Sequence, residues 1–172
     1  MSKSIINLAD MPFLSMPAAL GPKGEAAQRY EARMAMVSRA IGARQLGYNV
    51  TELPPGKRAF PFHNHRVNEE MFFVLEGHGE VRLGTETLVL RAGDFLACPA
   101  GGPDTAHQIV NTGATRLRYL VVSTTITPEL VDYPDTGKFG VLAEFPAGPN
   151  EPPQVFRFVG RESNAVDYWE GE

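Results

Sequence analysis

The apolar positions in the first part of the chain change period once. Tyr30, Met34, Val37 and Ile41 stand at i, i+4, i+7 and i+11, and Glu25, Arg29, Glu31, Arg33 and Arg39 fall mostly off that stripe. The spacing predicts one amphipathic helix or helical turn over residues 25–44, packed on the body of the domain. From Gln45 the period drops to two, with Leu46, Tyr48 and Val50 alternating against Gln45, Asn49 and Thr51. Further strands are predicted at 71–75, 81–83, 87–90, 95–98, 106–110 and 117–122. Turns are expected at Pro54-Pro55-Gly56, residues 76–79, Gly84-Thr85-Glu86, residues 91–94 and Asn111-Thr112-Gly113, with a longer Gly/Pro loop at 99–105. Beyond Tyr133-Pro134-Asp135 the pattern weakens into short extended pieces and ends in the aromatic tail Asp167-Tyr168-Trp169.

About eight strands within some eighty residues, with no helices between them, predict an all-β fold, a small antiparallel barrel or jelly roll. Seventeen glycines and fourteen prolines fit that reading, because they punctuate short apolar runs and do not form a low-complexity tract. Residues 1–24 carry Met11-Pro12, Met16-Pro17 and Gly21-Pro22 and read as an extended arm. The expected organisation is an arm and short helix at 1–44, a barrel core at 45–126, and a C-terminal extension of the same domain at 127–172.

Composition narrows the function. With 16 Lys and Arg against 20 Asp and Glu, the net charge is −4, leaving no basic excess to displace counterions from nucleic acid or an anionic membrane. No run of apolar residues is long enough to span a bilayer, and no continuous apolar stretch of a secretory leader follows Met1-Ser2-Lys3-Ser4. Cys98 is the single cysteine and has no internal disulfide partner. A cytoplasmic protein is the expectation.

The chain has four histidines: His63, His65, His78 and His107. A strand turns successive side chains to opposite faces, so the two imidazoles of His63-Asn64-His65 leave on one side and can share an ion. Glu70 follows beyond a short bend, and His107 belongs to a later strand. Three imidazole nitrogens and one carboxylate suit Fe, Mn, Ni, Co, Cu or Zn. His78 is expected in an exposed turn, and Cys98 as a small buried hydrophobe. Tyr48 and Tyr119 sit on apolar strands with inferred inward parity, either packing the core or turning a hydroxyl to a substrate. Lys57, Arg58 and Arg66 flank the histidine pair, as solvated rim charges or as holders of an anionic substrate.

The stretch from Gly56 to Glu70, with Gly77 six residues further on, resembles the first motif of the cupin superfamily. Gly93, Pro99-Ala100-Gly101, His107 and Asn111 resemble the second. The resemblance implies a double-stranded β-helix barrel holding one divalent transition metal (Fe, Mn, Ni, Co or Zn) on His63, His65, Glu70 and His107. Six residues in place of five separate Gly56 from His63, and five in place of two separate Gly101 from His107; the second difference should lengthen a loop at the barrel mouth. Glu70, not its neighbour Glu69, keeps the spacing to Gly77, and alternation puts Glu69 on the other face. The Leu53 to Gly56 lead-in, Tyr119 to Thr124 and Tyr133-Pro134-Asp135 are similar to small single-domain bacterial cupins provisionally labelled sugar-phosphate isomerases.

The function so implied is that of a metal-dependent enzyme acting on a small polar substrate, isomerase-like, with substrate contacts expected at Tyr48, Arg58 and Tyr119 and no assignable base. Alternatives are an iron-dependent dioxygenase and a cupin that binds a small molecule without catalysis. A homodimer is expected, with the arm and the aromatic tail offering apolar surface.

Overall fold

The computed structural model describes residues 4–148, 151 and 153–172. Residues 1–3 of the expected arm and 149, 150 and 152 of the expected C-terminal extension lie outside them. The strands are β1 (Leu14–Ser15), β2 (Arg33–Ala35), β3 (Leu46–Leu53), β4 (Asn64–His65), β5 (Glu70–Glu76), β6 (His78–Leu83) and β7 (Glu86–Arg91). They continue with β8 (Phe95–Cys98), β9 (His107–Val110), β10 (Leu117–Thr124), β11 (Glu129–Tyr133), β12 (Lys138–Phe145) and β13 (Gln154–Gly160). The helices are short: α1 (Ala26–Arg29) and α2 (Val37–Ile41).

Strands associate in the orders β1-β2-β3-β10-β5-β8, β13-β12-β11-β4 and β7-β6-β9, with antiparallel pairing throughout. The core lies between the first and third sheets. Leu53, Phe72, Val74 and Leu117 from one meet Val81 and Ile109 from the other, all nearly or fully buried. Each comes from a position whose neighbours along the strand point the opposite way, which is how period-two patterning builds a barrel interior. This is the expected double-stranded β-helix.

Four expectations are corrected. The helical stripe at residues 25–44 is cut in two by β2, which contains Met34. Arg33, Met34 and Ala35 pair with Glu52, Thr51 and Val50, and this ladder outweighs a local period supported by only a few residues. Gly42, at φ 75°, closes α2 in the left-handed conformation. Secondly, the turn expected at 76–79 collapses onto Gly77, and His78 begins β6. Gly77 has φ 83°, and a Cβ there would lie 2.5 Å from the Arg116 carbonyl oxygen, so only glycine fits this close approach. Thirdly, β11 forms where no strand is expected, and the weakly patterned region beyond Tyr133-Pro134-Asp135 folds into β12 and β13. Those strands complete a sheet with β4, and β13 is exposed on both faces, which removes the alternation a reader looks for.

The fourth correction concerns Tyr48. Asn49 lines the barrel interior, so its neighbour Tyr48 points to the other face. β3 is buried at every position from Val50 to Leu53, covered on both sides, and period-two reasoning cannot choose its inner face.

Candidate metal centre

Asn64 sets the direction of the histidine pair. It is fully buried, and its Nδ2 donates to the Gly101 carbonyl at 2.8 Å and to Asp132 Oδ2 at 3.1 Å. Anchoring that side chain outward commits His63 and His65 to the barrel side. His63 and His107 form a two-bond antiparallel bridge, His63 N to His107 O at 3.2 Å and the reverse at 2.8 Å, which sets their rings 4.7 Å apart. His65 is paired with Val131 of β11. Glu70 opens β5, opposite Cys98 and Ser123.

The longer second-motif loop leaves this geometry intact. Residues Pro103–Thr105 form a 3-10 turn, and β9 begins at His107, opposite Leu83. Asn111, fully buried, closes the strand by donating to the Leu53 and Thr115 carbonyls at 2.8 Å each and accepting from Gly113 N.

One nitrogen or oxygen from each of His63, His65, Glu70 and His107 lies within 4.8 Å of the others. Donors around a transition ion with bonds of about 2.1 Å stand roughly 3–4.3 Å apart, so only a small contraction is required. The tautomers agree. His63 Nδ1 faces the Pro61 carbonyl at 2.8 Å and His107 Nδ1 faces the Thr105 carbonyl at 3.4 Å. A carbonyl only accepts, so each Nδ1 carries the proton and each Nε2 is left with a lone pair. His107 Nε2 is 3.0 Å and His65 Nε2 is 3.4 Å from the same Glu70 oxygen, Oε2. A cation bound between these nitrogens and the carboxylate would satisfy both. Both nitrogens of His65 are buried with no hydrogen-bond partner among the described residues, which leaves Nε2 available to an ion. The residues fit a divalent metal.

The charges are tuned to match. Burial alone would raise the Glu70 carboxyl, but the His107 and His65 imidazoles hold it well below the usual carboxylate range. The His63 imidazole is held down to about 4, by burial first and then by His107 and His65, so it is neutral and ready to ligate. Burial acts to lower His65 too, yet Glu70 and Glu129 together raise it.

Glu129, which sequence reasoning missed, stands behind His65 with Oε2 3.5 Å from Nδ1. It is buried and accepts from the backbone N–H groups of Val67, Asn68 and Leu130 and from the Asn68 amide. No motif spacing links Pro128-Glu129-Leu130 to the histidines; only the β4–β11 pairing does.

The site opens on a chamber of about 250 Å³ walled by Asn49, Phe72, Gln108, Ile109, Tyr119 and Val121 beside the ligands. Among the expected substrate residues, Tyr119 lines this chamber, whereas Tyr48 and Arg58 do not. Burial, then the Glu70 charge, pushes the Tyr119 hydroxyl upward, so it is a hydrogen-bond donor at neutral pH. Arg58 spans Tyr30 and Val110 through its backbone, and its Nε is buried. The other flanking cations are engaged elsewhere: Lys57 Nζ on the Gln28 carbonyl at 2.8 Å, and Arg66 Nε on Asp132 Oδ2 at 2.6 Å. Glu69 is exposed, with its backbone N–H on Thr124 Oγ1. Cys98 is buried and its thiol is pushed up to about 12, by burial and then by Glu70, which leaves no nucleophile there.

Residues 49–123 match the family model described as a cupin domain. An uncharacterized protein of Methanocaldococcus jannaschii is 34% identical over 71 residues, 41% of this chain and 54% of that protein, so the match spans about half of that relative's length. The solved structure of a protein provisionally named a sugar phosphate isomerase, from Acidithiobacillus ferrooxidans ATCC 23270, aligns over 96% of both chains with TM-score 0.75 and 22% identity. A structure named as a sugar phosphate isomerase from a cupin superfamily, from Silicibacter pomeroyi DSS-3, aligns over 94% of both chains with TM-score 0.76 and 23% identity. At these identities the structural likeness is one of fold. Residues 49–123 thus match a cupin domain, and the double-stranded β-helix around them gathers His63, His65, Glu70 and His107 in its interior.

Proposed function

We propose that this chain is a metal-dependent enzyme for a small polar substrate, of the sugar phosphate isomerase type. The convergence of His63, His65, Glu70 and His107 beside a chamber of about 250 Å³ carries the reading. A divalent ion held there would supply Lewis-acid polarisation of a substrate carbonyl. The chain's own residues do the rest. Tyr119 offers its protonated hydroxyl to a substrate oxygen, the amides of Asn49 and Gln108 orient hydroxyl groups, and Phe72, Ile109 and Val121 exclude water. The names of the two fold neighbours support the same chemistry.

One observation favours a second reading. Isomerisation moves a proton between carbons and needs a base, and among the described residues the chamber wall has no carboxylate or imidazole beyond the four ligands. Iron-dependent dioxygenation would not need a base to relocate an α-proton. The discriminating experiment loads the protein with Fe, Mn, Ni, Co or Zn and incubates it with aldose and ketose phosphates in deuterated water. Deuterium at the α-carbon without oxygen uptake is expected. Fe-dependent oxygen uptake would favour the second reading, and inactivity of every metal form would overturn both.

The partner we propose for the outer surface is a second copy of the chain. Val155, Phe156, Phe158 and Val159 on β13 and Tyr168 and Trp169 in the tail are all exposed. Light scattering should report twice 18.8 kDa; a monomer at micromolar protein would contradict this.

A further inference from the structure

A second opening reaches the same ligands. Beside the chamber lies a cleft of about 430 Å³ whose lining includes His65 and Glu70 together with Ser38, Arg39, Arg44 and Ser123. Arg39 lies on α2, and Arg44 follows the turn at Gly42. The segment is pinned in place: Ala43 N donates to the Ser38 carbonyl at 3.0 Å, and Thr125 Oγ1, just past the end of β10, donates to the Arg44 carbonyl at 2.9 Å.

The arginine pair stands apart from most of the molecule's other guanidinium groups. Arg33, Arg66, Arg82, Arg91, Arg116 and Arg118 each have a carboxylate within 4.0 Å. Arg39 and Arg44 have none among the described residues, although Glu144 lies on the same cleft. Besides Glu70, the cleft carries two carboxylates: Glu144, which stands within 4.0 Å of neither arginine, and Glu129, which is already saturated by backbone and amide donors. Ser38 is 7% exposed, and neither its hydroxyl nor that of Ser123 has a hydrogen-bond partner among the described residues. Two uncompensated guanidinium groups and two free hydroxyls therefore share a cleft with two metal ligands. A divalent ion on one carboxylate and three neutral imidazoles keeps a net positive charge, so a small anion that reaches the ligands meets cations at both ends.

We propose that this cleft is an anion subsite, in which Arg39 and Arg44 with the Ser38 and Ser123 hydroxyls hold the phosphate or carboxylate head of a small substrate whose other end reaches the metal centre past His65 and Glu70. The inference rests on the metal-enzyme reading above and names the substrate class, a compact anionic metabolite. Planar guanidinium groups suit such heads because they donate two parallel hydrogen bonds.

The test titrates methyl phosphate and acetate, in parallel calorimetric experiments, into three metal-loaded proteins: the native chain, an Arg39→Gln/Arg44→Gln variant, and an Arg157→Gln/Arg161→Gln control of equal net charge. Metal content is measured on each. The expected result is that methyl phosphate binding falls by at least about tenfold in the cleft variant, the scale of losing charge-assisted hydrogen bonds, with metal content and control binding unchanged. Loss of acetate binding in place of methyl phosphate binding would identify a carboxylate as the head group. Equal binding by native and cleft-variant proteins, an equal loss in the control, or no binding of either probe by the native chain at millimolar concentration overturns the subsite. Should the protein take up no metal while methyl phosphate binding still depends on Arg39 and Arg44, the metal reading fails and the subsite stands.

Discussion

The inner chamber and the outer cleft meet at His65 and Glu70, and they differ in charge. Besides the ligands, the chamber wall holds no charged side chain among the described residues, whereas the cleft holds two arginines and two further carboxylates. The chamber is bounded by Phe72, Ile109, Val121 and the buried Tyr119, with His63 and His107 on its own side. The cleft sets Arg39, Arg44, Glu129, Glu144 and several hydroxyls among the apolar Met36, Leu46, Ile126 and Leu142. The difference follows from origin. The chamber is the barrel interior, where strand alternation places an apolar residue at every second position. The cleft is formed where the α2 segment, the end of β10 and the C-terminal sheet come together at the barrel mouth, and no single periodicity governs it. All four ligands thus face the chamber, while His65 and Glu70 also face a cleft that can recognise charge.

The largest effect is expected from the chamber side. His63→Ala removes a neutral nitrogen that has no role in the cleft, and stoichiometric metal should be lost by elemental analysis, with the metal-free protein still folded by circular dichroism. Retained metal would show that the chamber-side nitrogens do not ligate. From the cleft side the effect should be smaller. Glu129→Gln leaves every ligand in place but loosens His65, and metal affinity should drop about 10–100-fold, the usual cost of losing an outer-shell partner. An unchanged affinity would reduce Glu129 to an anchor for Val67 and Asn68 alone.

The third prediction separates the two histidines by pH. In metal-free protein His63, facing the chamber, should titrate near pH 4, while His65, held by Glu70 and Glu129, should take its proton above the ordinary value of 6.5. Because a proton competes with the ion for Nε2, metal affinity should fall as pH drops through neutrality, with His65 protonating well before His63. Imidazole NMR titration checks the order, and His63 titrating first would reverse the picture.

The chamber was largely legible in the sequence, and the cleft was not. Strand alternation alone puts His63 and His65 on one face, while the assignment of Glu70 and His107 beside them follows from the resemblance to the two cupin motifs. Tyr48 was misplaced because β3 is covered on both faces. Glu129 sits 59 positions beyond Glu70 and reaches His65 only through the β4–β11 register. Arg39 reads as part of the polar side of one helix and Arg44 as its end, and their cleft depends on Gly42 turning the chain toward β3. Residues that act through tertiary pairing carry no local signal of their own.

The most direct test of the metal centre compares two adjacent carboxylates by metal titration. Glu70 Oε2 lies between His65 and His107, whereas Glu69 is exposed and its side chain touches none of the ligands. Glu70→Gln exchanges the one anionic ligand for a weakly donating amide and should abolish tight binding of a divalent ion. Glu69→Gln should leave the metal in place and shift stability by no more than about 0.5 kcal/mol. Metal lost in Glu69→Gln and kept in Glu70→Gln would contradict the assignment of the centre.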